Sequence, residues 1–239
     1  MKLHNKHGEV LDHDYDNSSG REDILVVLGH GVTGNKDRPL QLAIYNGLIA
    51  RGWPVLSLSF AGNGDSEGKF EDAIIPKEVN DLHSVLDQVK GTKKVAYIGH
   101  SMGGAVGALA AARDERIEVL VSLAGMVRTK DFCDEEFGDV VPGQGCMWDE
   151  PSCPLSEAYV ESMAQIDNTL TAARDVRSPW LMIHGDADDV VLPKDSEDLY
   201  LTLRGKKKHV VIEGADHCFE GYYDQALEEI DAWLQLYLK

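Results

Sequence analysis

The stretch Lys93 to Arg113, KKVAYIGHSMGGAVGALAAAR, constrains this chain more than any other. Val95 to Ile98 is a short β-prone apolar run, Gly99-His100-Ser101-Met102-Gly103 follows without a linker, and an Ala-rich segment continues to Arg113. The pattern is strand, sharp turn, helix. A serine at the tip of such a turn is held in a strained backbone conformation that projects its hydroxyl off the sheet. Strand and helix then pass closely only if the residues two positions either side are glycine-sized. Gly99 and Gly103 supply that clearance. The helix beyond the turn aims unsatisfied N–H groups and its positive dipole end at the same spot, where an oxyanion can be held. Serine also caps helices, and G-x-S-x-G recurs by chance, so Ser101 reads as a nucleophile only if an acid and a histidine follow.

Both follow. Trp180 to His184 has the pattern of a strand and leads into Gly185-Asp186-Ala187-Asp188-Asp189, which puts three carboxylates on one turn. Lys208 to Ile212 is another strand, and after it His217 sits in the glycine-led loop Glu213-Gly214-Ala215-Asp216-His217-Cys218-Phe219. A serine hydroxyl is a poor nucleophile until an imidazole takes its proton, and the imidazole needs a carboxylate to fix its tautomer. Asp216 is handicapped as that carboxylate because successive loop residues rarely face each other; turn stabilisation is its expected role. The chain order Ser, Asp, His separates this arrangement from the chymotrypsin-like and subtilisin-like proteases.

The flanking segments predict a sheet to carry these loops. Ile24 to Leu28 is a continuous apolar run, the mark of a strand covered on both faces. It ends in Gly29-His30-Gly31-Val32-Thr33-Gly34, a loop able to deliver a second oxyanion donor. Val55 to Phe60 and Val119 to Ala124 read as further strands. Leu40 to Ala50, Pro76 to Val89, Lys194 to Leu203 and Asp224 to Leu238 read as helices, and Met1 to Tyr15 as an edge hairpin turning at Lys6-His7-Gly8. Gly62-Asn63-Gly64-Asp65-Ser66-Glu67 misses the dinucleotide fingerprint, since Glu67 replaces the third glycine and no helix begins there. Alternating strands and helices predict an α/β fold with a mostly parallel central sheet and helices on both faces. Residues 1–126 and 176–239 form its core.

Residues 127–175 break the pattern and read as a small inserted cap whose one clear helical stretch lies around Ser156 to Met163. Its position after the strand that follows the elbow helix predicts that it covers the serine, with Phe132, Phe137, Trp148 and Tyr159 supplying pocket wall. Its carboxylates, from Asp131 to Glu150, should repel negatively charged acyl groups, so neutral esters are expected to be preferred.

Composition excludes other classes. A formal charge of -18 over 239 residues argues against nucleic acid or an anionic membrane surface as partner. No stretch approaches the roughly 18 apolar residues of a membrane span, and MKLHNKHGEV lacks the apolar core of a secretory signal, so a cytoplasmic location is expected. Cys133, Cys146, Cys153 and Cys218 show no zinc-like spacing; no metal is expected, and buried free thiols are the default, with a Cys146–Cys153 bridge the lesser alternative.

At this point the chain resembles the α/β-hydrolase superfamily and, within it, the small cinnamoyl and feruloyl esterases with their serine-peptidase-like relatives. The resemblance rests on His30-Gly31-Val32-Thr33-Gly34-Asn35, Gly62 to Phe70, Gly99 to Gly104, His184 to Asp188 and Glu213 to Phe219, and it covers nearly everything except the cap. It implies Ser101 as nucleophile, His217 as base, Asp188 as orienting acid with Asp189 as fallback, and the amides of Val32 and Met102 as the oxyanion hole. His30, Gly31 and Trp148 are the expected substrate contacts. A cofactor-free serine esterase acting on a small-molecule ester is the implied function. A peptidase or thioesterase using the same residues, or a non-catalytic receptor on the same scaffold, is the alternative.

Overall fold

A computed structural model describes residues 2–89 and 94–238; Met1 and Lys93, named above in the first hairpin and the elbow stretch, lie outside the described residues. The chain opens with a two-stranded antiparallel hairpin, β1 (Leu3–His4) and β2 (Val10–Leu11), that buries Leu3 and Leu11. A seven-stranded sheet follows, built from β3 (His13–Asp16), β4 (Ile24–Gly29), β5 (Val55–Leu58), β6 (Lys94–His100), β7 (Ile117–Leu123), β8 (Trp180–Gly185) and β9 (Lys207–Ile212). Its order is β3-β5-β4-β6-β7-β8-β9, and every neighbouring pair is parallel except β3 with β5. The antiparallel edge strand is short and polar, which suits a position covered on one side only.

The two-residue period of β4 explains the layering. Ile24, Val26 and Leu28 point into one apolar cluster and Leu25 and Val27 into the other, so one strand feeds both faces. On the first face lie α1 (Pro39–Ala50) and α8 (Tyr223–Tyr237), which buries Ala226, Leu227, Ile230, Trp233 and Leu234 at helical spacing. On the second lie α2 (Ile75–Gln88), α3 (Met102–Ala111) and the residues that follow β7. Each fully buried Leu or Ile contributes about 1.5–3 kcal/mol, upper figures that chain entropy largely offsets.

Between β7 and β8 the chain forms α4 (Thr129–Phe137), α5 (Glu157–Ile166) and α6 (Leu170–Ala173); α7 (Lys194–Thr202) follows β8. The sequence reading of one helix in 127–175 is corrected to three: α4 is so acidic that its apolar face is only Phe132, Cys133 and Phe137, and α6 is a single turn. Ser156 caps α5 by accepting from the Tyr159 amide (3.1 Å), and its hydroxyl donates to the Glu71 carbonyl (2.7 Å), tying the insert to the core. At the other end Arg128 pairs with Asp195 and Asp198 of α7.

The amphipathic face of α2 also buries two acids. Asp81 accepts from the Ala61 amide (3.0 Å) and Asn5 Nδ2 (2.9 Å). Glu78 is 1% exposed, and neither carboxylate oxygen has a partner among the described residues. Burial, reinforced by the charge of Asp81, pushes the Glu78 carboxyl well above its ordinary range, so the folded chain holds that proton where the unfolded chain has released it. Stability from this group is complete below the unfolded value near 4.3 and is lost as pH rises towards the folded one, at up to about 1.4 kcal/mol per pH unit. Glu78→Gln removes that slope. Urea unfolding at pH 5, 6, 7 and 8 should therefore show the variant gaining on the parent with each step; parallel curves would mean that Glu78 is ionised in the fold.

Candidate active site

Ser101 stands between the end of β6 and the start of α3 with φ 53° and ψ -121°, a conformation that costs on the order of 1–3 kcal/mol. Its backbone is clamped on both sides: its N–H donates to the Leu123 carbonyl (3.0 Å), and its carbonyl accepts from Gly104 (2.8 Å) and Met126 (2.9 Å). The flanking glycines permit the turn. A Cβ on Gly99 would lie 2.1 Å from the Gly103 carbonyl oxygen, and one on Gly103 would lie 2.7 Å from that of His30. Gly31 faces the serine so closely that a Cβ there would sit 2.7 Å from Ser101 Cβ.

The Ser101 side chain is 3% exposed and shares a cavity of about 470 Å³ with His217, His100, the loop His30 to Gly34, and Trp148. That volume suits a small organic ligand. His217 Nδ1 lies 2.9 Å from Asp188 Oδ2, which leaves Nε2 as the ring nitrogen available to the serine. His100, the residue before the nucleophile, donates from Nε2 to the His217 carbonyl (2.9 Å) and packs its ring against the His217 ring with centroids 4.8 Å apart. Burial, helped by the neighbouring His217, holds His100 neutral with its pKa down to about 3.

Asp188 is 4% exposed, and all its oxygen positions are used. Oδ1 accepts from the Val190 and Val191 amides at 3.0 and 2.9 Å, while Oδ2 accepts from His217 and from His184 Nε2 (3.0 Å). Burial alone would push this carboxyl up, but the hydrogen bonds from His184 and His217 outweigh it and hold Asp188 well below the usual carboxylate range. It is thus a fixed negative charge beneath the imidazole. Sequence reasoning did not single out His184 for this part. A histidine at the end of an apolar strand, four residues before an acid, was the available signal. Its Nδ1 contacts Ser196 Oγ at 2.5 Å, fixing the ring from behind.

The other acids do different things. Asp189 is exposed and Asp216 accepts from the Glu220 amide (3.0 Å), stabilising its own turn. Asp186 accepts from the Gly214 amide (2.6 Å) and ties the acid loop to the histidine loop.

The two amides expected from sequence to form an oxyanion hole are both unpaired among the described residues. Met102 is the first residue of α3, so its N–H has no intrahelical acceptor, and the Val32 amide donates to no carbonyl or side chain among the described residues. His30 braces the loop that carries Val32. Its Nε2 accepts from the Phe60 amide (3.0 Å), so its Nδ1 is the protonated nitrogen and meets the Gly31 carbonyl (2.9 Å). Burial lowers the pKa of His30 to about 4, so the ring stays neutral and both nitrogens are engaged.

Of the four aromatic residues expected to wall the pocket, Trp148 alone lines it. Phe132, Phe137 and Tyr159 pack edge to face with centroids 5.9 to 6.2 Å apart and join the apolar cluster on the second face of the sheet, which corrects that expectation. An insert this small holds its helices by burying their aromatics in the core cluster of the sheet rather than in one of its own. Trp148 instead sits 46% exposed at φ 49°, fixed by a hydrogen bond from Nε1 to Glu136 (2.7 Å) and by the Phe137 ring 5.0 Å away. The four cysteines are free. Among the described residues no helix is long and apolar enough to cross a membrane, and no cluster of His, Cys, Asp or Glu is arranged to hold a metal.

The mostly parallel sheet, the strained serine elbow and the acid and histidine loops at the strand ends define an α/β-hydrolase. Residues 47–239 match the prolyl oligopeptidase family of peptidases, and the chain belongs to that family of hydrolases. Among solved structures, Est1E from Butyrivibrio proteoclasticus with bound ferulic acid superposes with a TM-score of 0.89 at 24% identity, covering 100% of this chain and 99% of that one. The Pyrococcus furiosus esterase Pf2001 gives 0.77 at 18% identity over 100% and 90% of the two chains. In sequence, YfhR of Salmonella typhi is 26% identical over 216 residues, 83% of this chain and 66% of its own length. The chain thus spans about two thirds of that relative.

Two substitutions separate the acids. Asp188→Asn should lower turnover by about 10⁴, as expected when the imidazole loses its tautomer partner, and Asp189→Asn should leave it within a few-fold. Steady-state rates on one ester decide this, and the reverse ranking would reassign the acid. His184→Leu should lower turnover, because Asp188 loses one of the four donors that hold it in place; parental turnover in the folded variant would make His184 a packing residue only.

Proposed function

We propose that the chain cleaves carboxylic esters through an acyl-enzyme, with Ser101 as nucleophile, His217 as general base and acid, and Asp188 holding the imidazole. The observation that carries this reading is a strained serine in the same cavity as a histidine whose far nitrogen is bonded to a buried aspartate held well below the usual carboxylate range. The Ser101 proton passes to His217 Nε2 as Oγ attacks the ester carbonyl carbon. The carbonyl oxygen becomes an oxyanion between the Val32 and Met102 amides, and Asp188 stabilises the imidazolium. Collapse breaks the bond to the alkoxy oxygen, which leaves as the alcohol with the proton from Nε2. Water repeats the cycle on the acyl group and frees the acid.

The volume of the cavity and the exposed indole of Trp148 at its wall favour short or aromatic acyl groups, and the ferulic acid held by the Est1E neighbour is of that kind. The insert 127–175 is the specificity element in this reading. The prolyl oligopeptidase match favours one second reading, a serine peptidase using the same residues.

The test is a panel of 4-nitrophenyl esters of increasing acyl length with methyl ferulate and an aminoacyl 4-nitroanilide alongside. Parent protein should hydrolyse the short and aromatic esters. Ser101→Ala should retain the fold and only the residual advantage over water, about 10³ to 10⁴, left by binding and the oxyanion hole. Anilide cleavage exceeding ester cleavage would favour the peptidase, and near-parental rates in Ser101→Ala would remove Ser101 from the nucleophile role.

A further inference from the structure

The chemistry above uses neither edge of the sheet, and the two edges differ. β3 is short, and the cation beside it, Lys36, is already paired with Asp12, Asp14 and Asp37. β9 (KKHVVI) ends the sheet on the other side, pairs with β8 alone, and leaves Val211 52% exposed. The bonds at the two ends of the β8–β9 ladder fix which of its backbone groups are free. The Trp180 amide donates to the Lys206 carbonyl (2.9 Å) and the Asp186 amide to the Ile212 carbonyl (3.3 Å). A strand turns alternate residues to its neighbour, so Lys208, Val210 and Ile212 bond to β8, while Lys207, His209 and Val211 point N–H and C=O outward. Those outward groups meet no donor or acceptor among the described residues. A row of free backbone groups on an edge strand is a template for another strand.

Helices flank this edge without covering it. On one face the Tyr200 ring of α7 lies 6.1 Å from that of His209, and Leu201 beyond it is exposed. On the other, Glu229 of α8 pairs with Lys208, and the exposed Leu236 follows two turns later on the same stripe.

Charge selects the partner. At a formal -18, two copies of this chain repel over most of their surface, yet Arg204, Lys206, Lys207 and Lys208 gather at the start of β9, and Glu213 follows its end. The Lys207 ammonium meets the carbonyls of Tyr200 and Leu203 but no carboxylate, and Glu213 is exposed without an ion pair among the described residues. An antiparallel copy brings the basic end of one strand to the acidic end of the other. Outward groups must face outward groups, which restricts the register to steps of two residues. Of the two-fold registers that overlap most of the strand, one centred on Lys208 opposes that lysine to itself, and one centred on His209 leaves Lys207 facing Val211. The register centred on Val210 sets Lys207 opposite Glu213, Lys208 opposite Ile212 and His209 opposite Val211.

We propose that β9 pairs antiparallel with β9 of a second copy about a two-fold axis at Val210, joining the two seven-stranded sheets into one. Such an interface is isologous, so the contact between Lys207 and Glu213 occurs twice.

Sedimentation equilibrium between about 1 µM and about 1 mM should show the parent passing from monomer to dimer. Lys207→Glu and Glu213→Lys each set like charges opposite one another at both ends of the seam, and each should weaken association about tenfold or more. An equimolar mixture of the two variants should associate as the parent does, because each copy then carries the charges that the other lacks. Val211→Pro removes an outward N–H, leaves the ladder to β8 intact, and should give a monomer with parental far-UV circular dichroism. If that variant fails to fold, the charge variants and their mixture, which alter side chains only, decide the matter. A parent that stays monomeric, a dimer that survives Val211→Pro, or a mixture that associates no better than either variant alone would each overturn the proposal.

Discussion

The close approach of β6 and α3 at Gly99 and Gly103 is the contact on which the rest of the site depends. With the Gly103 carbonyl oxygen 2.1 Å from where a Gly99 Cβ would stand, alanine there forces β6 and α3 apart, and a Cβ on Gly103, 2.7 Å from the His30 carbonyl oxygen, would push α3 off the end of β4. Ser101 would then lose the hydrogen bonds to Leu123 and Met126 that hold its positive φ. The strain at Ser101 is supported from below by a strand buried on both faces and from the side by β7, so the elbow is over-determined by its neighbours. Its result is a hydroxyl raised off the sheet beside the first free amide of a helix.

A second dependence runs through Asp188. One carboxylate serves two histidines and two amides, and each of its four partners comes from β8, its loop or the loop after β9. The ring of His184 and the turn at Val190 and Val191 fix Asp188 before His217 meets it. The histidine loop is in turn held by His100 from the elbow and by Asp186 from the acid loop. Ser101, Asp188 and His217 thus sit on three loops that are cross-braced to one another.

Much of this was legible in sequence because periodicity and glycine carry physical meaning. Continuous apolar runs mark β4, β6 and β8, and the glycines of the elbow mark a close approach of strand and helix. The antiparallel edge strand β3 was less visible, since HDYD has neither an apolar run nor alternation. In the insert, charge hid α4, and aromatic residues that looked like pocket wall joined the core of the second sheet face because nothing in a sequence says which side of a small helix faces inward. The buried Glu78 and the second histidine on Asp188 were hidden for a related reason: a polar residue within an apolar period reads as exposed unless its partners are known.

Peptide mass mapping after treatment with a fluorophosphonate tests the central claim most directly, because such a reagent reports an activated nucleophile independently of substrate choice. The account requires a single adduct on the peptide that contains Ser101, formed at a rate that falls by orders of magnitude in Asp188→Asn protein, where the imidazole is no longer held as a base. An adduct on another side chain, or none on the folded parent protein, would contradict it.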